Sequence, residues 1–169
     1  MKKWTVIVLC FAFVLSLAAC VKENAAPAQP ATGGNVEIPN PFTEYDTLAD
    51  VAAAAGFEIS VPDSIDGYSG RVIRVLAAED ARMIEVIYQD GENKEVRVRK
   101  APGAEDISGD YNQYDRSEAA VVGDYNVTLQ GNGDTICLAT WTAGEYTYSV
   151  SFSDGVSTDS AAQLIAAVG

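Results

Sequence analysis

Chemistry in a protein chain needs nucleophiles, acids, bases or metal ligands at usable spacing, and this sequence offers few of them. It holds no histidine in 169 residues. That removes Ser-His-Asp and Cys-His nucleophiles, the histidine general base and any histidine-ligated metal site. Carboxylates are plentiful, with 24 Asp and Glu against 11 Lys and Arg, a formal charge of −13. The densest set lies in the longest irregular stretch, residues 102–118, where Glu105, Asp106, Asp110, Asp115 and Glu118 are interspersed with Tyr111, Asn112 and Tyr114. A hard cation such as Ca²⁺ takes about six to eight oxygens. Glu105, Asp106, Asp110 and Asp115 could supply several of them, as a weak cation loop. The Asp-x-Asp-x-Asn-Gly run of an EF-hand is missing, so a solvated acidic loop is the favoured reading, and neither a metal nor a cofactor is expected. Paired carboxylates also serve glycosidases, but among so many acids pairs arise by chance, and no insertion suggests a cleft. The expectation is a protein that is not an enzyme.

Two other constellations have a chemical and a structural reading. Arg97, Arg99 and Lys100 form the only basic cluster. It can hold an anionic ligand, but a salt-bridged outer strand face is favoured. Trp141, Tyr146 and Tyr148 can line a ligand groove, but aromatic packing in the core of a sheet is favoured. Nucleic acid is not an expected partner, because phosphate binding needs clustered Lys and Arg in excess.

The strongest chemical signal is a thiol near the start. Lys2 and Lys3 precede an uncharged apolar run, Trp4 to Leu17, of signal-peptide length and shorter than the ~20 residues needed to span a bilayer. The run ends in Leu17-Ala18-Ala19-Cys20. Small residues before a cleavage point admit a peptidase, and the cysteine after them supplies a thiol for acylation. This quartet resembles the lipobox of bacterial lipoproteins. The resemblance implies a diacylglyceryl thioether on Cys20, cleavage between Ala19 and Cys20, and often a further N-acyl chain. Residues 1–19 then read as signal peptide and residues 20–41 as lipidated cysteine plus a linker rich in Ala, Pro, Gly and Asn. A coil of that length spans about 25 Å. Without Lys2 and Lys3 the chain keeps nine basic residues against 24 acidic ones, a formal −15. An anionic membrane surface repels such a domain, so lipid and not charge must hold it there. Cys10 leaves with the signal peptide. Cys137 is left without a disulfide partner and, in the apolar run TICLATW, reads as a buried inert residue.

Residues 42–169 read as a single α+β domain. Leu48, Val51, Ala52 and Ala55 share a helical face, with Thr47 and Asp50 as a capping box and Gly56 as the stop. The period then switches to two. Phe57–Val61, Arg71–Ala77, Ile84–Gln89, Glu95–Arg99, Tyr125–Gln130, Thr135–Thr142 and Tyr146–Phe152 are extended candidates. If Gln89 faces Glu95 across the loop 90–94, Glu85 lies opposite Arg99 on the outer face; a two-residue slip would put Ile87 there instead. Ser157 caps a last helix whose stripe is Leu164, Ile165 and Val168. The expected fold is a curved antiparallel sheet of about six to seven strands with a helix at each end.

Gly56-Phe57 through Val61-Pro62, with Gly67-Tyr68 just after, resembles the opening of a bacterial domain of unknown function. Trp141…Gly144…Tyr146-Thr147-Tyr148-Ser149-Val150, followed by Ser157 and an apolar helix, resembles its end. Domains of that kind occur in surface lipoproteins and in extracellular parts of anti-sigma regulators, and the pattern carries no catalytic residues. The expected function is a lipid-anchored binding or sensing module on the extracytoplasmic face of the cell membrane. The alternatives are a carrier of lipid or lipoprotein on a concave sheet face, and a structural envelope lipoprotein.

Overall fold

The computed structural model describes residues 40–78, 81–91 and 93–169. The strands are β1 (Phe42–Tyr45), β2 (Gly70–Ala77), β3 (Arg82–Gln89), β4 (Glu95–Pro102), β5 (Arg116–Val122), β6 (Tyr125–Asn132), β7 (Thr135–Ala143) and β8 (Tyr146–Val156). The helices are α1 (Leu48–Ala55) and α2 (Thr158–Ala166). All eight strands form one antiparallel sheet in the order β1-β2-β3-β4-β8-β7-β6-β5. The first four strands and the last four are each a meander, joined where β4 pairs with β8.

The helices form where the pattern predicts. Thr47 caps α1, its hydroxyl accepting from the Asp50 N–H at 3.1 Å, and Gly56 ends it in the left-handed region. Val51 and Ala55 seat α1 against β2 and β3. Ser157 caps α2, which packs on β5, β7 and β8 through Ala161, Leu164 and Ile165. Alternate strand residues meet these helices, including Ile73, Val75, Ile84, Val86, Val98 and Val150, all fully or almost fully buried. Each such side chain contributes roughly 1.5–3 kcal/mol relative to exposure.

Two strands fall outside the sequence reading, and one expected strand is absent. β1 and β5 are the sheet's edges. Phe57–Val61 joins no ladder of the sheet. It runs extended across the helix side, with Ile59 buried and Glu58 and Ser60 exposed. Its alternation is real, but its backbone partner is Gly169, which exchanges hydrogen bonds of 2.7 and 3.0 Å with Ser60.

A β-bulge shifts β7. Gly131 pairs with Ile136 and Gln130 with Leu138, leaving Cys137 as the extra residue. A side chain at Gly131 would stand 1.9 Å from the Thr135 carbonyl oxygen, so only glycine fits. The bulge changes the side-chain phase: Ile136 joins the helix-side core and Leu138 points to the other face. Cys137, expected to be buried, is therefore half-buried between them.

Candidate functional site

The sheet face away from the helices is laid out by register. One row reads Arg74, Glu85, Arg99, Ser149, Thr140 and Thr128 across six strands. The predicted pairing of Gln89 with Glu95 and Glu85 with Arg99 is the observed one. Glu85 is 0% exposed. Its Oε1 lies 2.5 Å from the Arg74 guanidinium, and its Oε2 lies 2.5 Å from Arg99 Nε and 3.5 Å from Arg97 Nε. Arg97 also meets Glu95 at 2.5 Å. One fully desolvated carboxylate thus organises three guanidiniums.

Lys100 does not share this arrangement. Period two sends it to the helix face, where it is buried with its Nζ 4.7 Å from the Tyr146 ring centre and 5.0 Å from that of Tyr148. Attraction to the ring faces replaces a carboxylate partner. Trp141 stacks on Tyr148 at 5.2 Å and Tyr125 at 6.0 Å, while Phe57 meets Tyr146 at 5.1 Å. These aromatics are core, the favoured of their two readings.

Residues 103–115 cover part of the outer face, because β4 is central and β5 is the far edge. The connection must pass β8, β7 and β6, about 20 Å at usual strand spacing. Arg99 fastens this strap by donating Nη1 to the carbonyls of Ile107, at 2.9 Å, and Ser108. Thr147 donates to the Gly103 carbonyl at 2.6 Å. At the far end Asp115 receives the Gly133 N–H and gives its own to Asn132 Oδ1. Gly109 lets the strap close down, since a side chain there would stand 2.7 Å from Arg99 Nη1.

The four acids of the suggested cation loop are spread along this strap. Asp106 accepts the Ser108 N–H at 2.8 Å, and Asp110 accepts the Asn112 N–H at 2.8 Å and the Tyr114 hydroxyl at 2.5 Å. Three of the four thus hold the strap's own turns and anchorage, and Glu105 stands at its exposed margin. Among the described residues no cluster of three or more metal-ligating side chains is found.

The Tyr114–Asp110 bond is an electrostatic latch. Burial and the hydrogen bond to Asp110 push the Tyr114 phenol up to about 12. Burial raises Asp110, but hydrogen bonds from Tyr114 and Asn112 outweigh it and hold the carboxyl below its usual range. A raised phenol stabilises the fold fully below its unfolded value of about 10, and that contribution is lost as pH climbs through the folded value. A depressed carboxyl contributes above its unfolded value and is lost as pH falls through its folded one. Near-ultraviolet titration should therefore show a phenolate forming near pH 12, absent from Tyr114→Phe.

Between the strap and the ends of β2, β3 and β4 lies a groove of about 910 Å³. Leu76, Met83, Ala101, Pro102, Ile107 and Tyr111 give it an apolar lining, with Glu105 and Asp106 on the strap side and Arg82 and Arg99 on the other. Tyr111 is 95% exposed. Sequence reading missed this groove, whose only local sign is a tyrosine within an acidic irregular segment. A second, polar groove of about 400 Å³ runs over Asn126, Thr128, Gln130 and Thr140. Ala19, Cys20 and the linker up to residue 39 lie outside the described residues. No family model, curated protein or solved structure matches this chain.

Proposed function

We propose that this is a lipid-anchored, extracytoplasmic binding or sensing module without catalytic activity. It is held to the cell membrane through Cys20 and offers the groove beside Tyr111 to a protein partner. The observation that carries this is a large apolar groove rimmed by an exposed tyrosine. Exposed aromatics over apolar pockets are typical anchors of binding energy. Glu105 and Asp106 on one side and Arg82 and Arg99 on the other favour a segment with an apolar tip and flanks of both charge signs. The carrier alternative needs an open apolar cavity where the binding module needs a filled core. Support for the binding reading comes from the helix side, where Tyr88, Val98, Tyr148 and Val150 are buried against α1, α2 and the 57–69 segment. The resemblance to domains of surface lipoproteins and anti-sigma regulators agrees with presentation of a surface.

The test places a photo-cross-linking residue at position 111 of the full chain in cells, with position 134 as an exposed control. One adduct should form at 111, fail to form at 134, and fall about tenfold or more with Ile107→Asp, as loss of an anchor costs about 2 kcal/mol. Equal labelling at both positions, or none at 111, rejects the reading.

A further inference from the structure

Among the described residues no strand pairs with the outer side of β1 or of β5, and these two edges differ. β1 has four residues, with Thr43 and Glu44 exposed, and is short and charged as protected edges are. β5 has seven residues, Arg-Ser-Glu-Ala-Ala-Val-Val, without proline, lysine or register shift. Its outward groups follow from pairing. Val122 and Tyr125 close a two-residue turn with Gly123 at φ 58°, so they exchange both hydrogen bonds. Ala120, Glu118 and Arg116 bond to β6 in the same phase. The N–H and C=O groups of Ser117, Ala119 and Val121 therefore point away from the sheet. The same three side chains are exposed, Val121 by 75%.

We infer that β5 is the seam of a homodimer, two copies adding edge to edge and antiparallel about a two-fold axis at Ala119. That axis sets Ala119 opposite its own copy and Ser117 opposite Val121, so every outward backbone group meets an outward backbone group. Three facing pairs then form six hydrogen bonds, with only small side chains between them. On the helix side Arg116 faces Val122 and Glu118 faces Ala120, so no like charges stand opposite. Arg116 and Glu118 neutralise one another within each chain at 2.5 Å. The seam therefore asks for a neutral, small-residue strand, and β5 itself is one. Past the ends, Asp115 of one copy approaches Asp124 of the other, so the dimer strengthens as salt screens them.

Cysteine placement tests the register in cells expressing the full chain. Cys137→Ser is the parent, and its yield measures what the remaining native cysteines contribute. Ala119→Cys puts two thiols on the axis at a Cα separation of about 5.5 Å, within reach of a disulfide or a short bifunctional thiol reagent. Val121→Cys puts them four residues out of register, about 14 Å apart. The expected result is a dimer band at least about tenfold above parent for Ala119→Cys and not for Val121→Cys. Co-expressed Ser117→Cys and Val121→Cys chains should cross-link to each other, which keeps the test open if Ala119→Cys folds poorly. Adding Val121→Lys should abolish the Ala119→Cys band, and raised salt should strengthen it. Equal yields at 119 and 121, adducts only with other proteins, or no dimer from the folded variants would overturn the proposal.

Discussion

Glu85→Gln is expected to destabilise the domain by about 3–5 kcal/mol, the usual cost of removing one partner from a buried ion pair. Glutamine keeps the shape and removes the charge that Arg74, Arg97 and Arg99 share. One amide oxygen cannot replace two carboxylate oxygens, and the amide N–H₂ must then face a guanidinium. Against a total stability of about 5–15 kcal/mol, this moves the thermal midpoint down by roughly 10 °C or more. Circular dichroism during heating or urea unfolding measures it. Asp154→Asn is the control, since it breaks the exposed Lys94–Asp154 pair at 3.3 Å and should cost less than about 1 kcal/mol. A loss of that small size for Glu85→Gln would mean that water solvates the arginines without it. The defect should also spread. Arg99 holds the strap only while Glu85 holds Arg99, so amide exchange should quicken in residues 105–110 and the groove beside Tyr111 should lose one wall.

The Glu85–Arg99 pair was legible because a period-two run, a polar loop and a second period-two run determine one hairpin and one register. The same logic located β2, β3, β4, β6, β7 and β8, and cap chemistry located both helices. β1 and β5 were illegible for a physical reason. An edge strand needs no apolar alternation, and Ser117-Glu118-Ala119-Ala120 carries none. Phe57–Val61 erred in the opposite sense: alternation reports an extended chain with one face buried, not which backbone it bonds to. Lys100 belonged to the helix face by the same alternation that put Arg97 and Arg99 outside, yet adjacency in sequence suggested one cluster. The strap and its groove depend on β4 pairing with β8, some fifty residues downstream in the chain, and no local pattern records that choice. Cys137 shows the limit most sharply, since one bulge opposite Gly131 moved it out of a run that reads as uniformly apolar.

Cys20→Ala is expected to abolish acylation and the membrane retention that depends on lipid. Each buried CH₂ contributes about 0.8 kcal/mol, and two chains make a stable anchor where one is marginal. Once residues 1–19 are removed, nothing among the described residues substitutes for them. The chain's formal charge of −13 is repelled by an anionic surface, and among the described residues no helix is long and apolar enough to cross a bilayer. Cell fractionation should move the variant that has lost residues 1–19 from the membrane pellet to the soluble fraction, and a fatty-acid probe should no longer label it. Unchanged labelling would refute acylation at Cys20. The folded domain should not notice the change, because residue 20 precedes the first described element, β1, by more than 20 positions. Its thermal midpoint should therefore match that of the parent chain, in contrast to Glu85→Gln. The partner adduct at position 111 should nevertheless fall, since a released domain loses the high local concentration that the proposed anchor and linker would maintain near the membrane. Cys20→Ala thus removes location and keeps the groove, whereas Ile107→Asp removes the groove and keeps location. If both abolish the adduct while only the first changes fractionation, anchoring and recognition are separate devices joined by the linker.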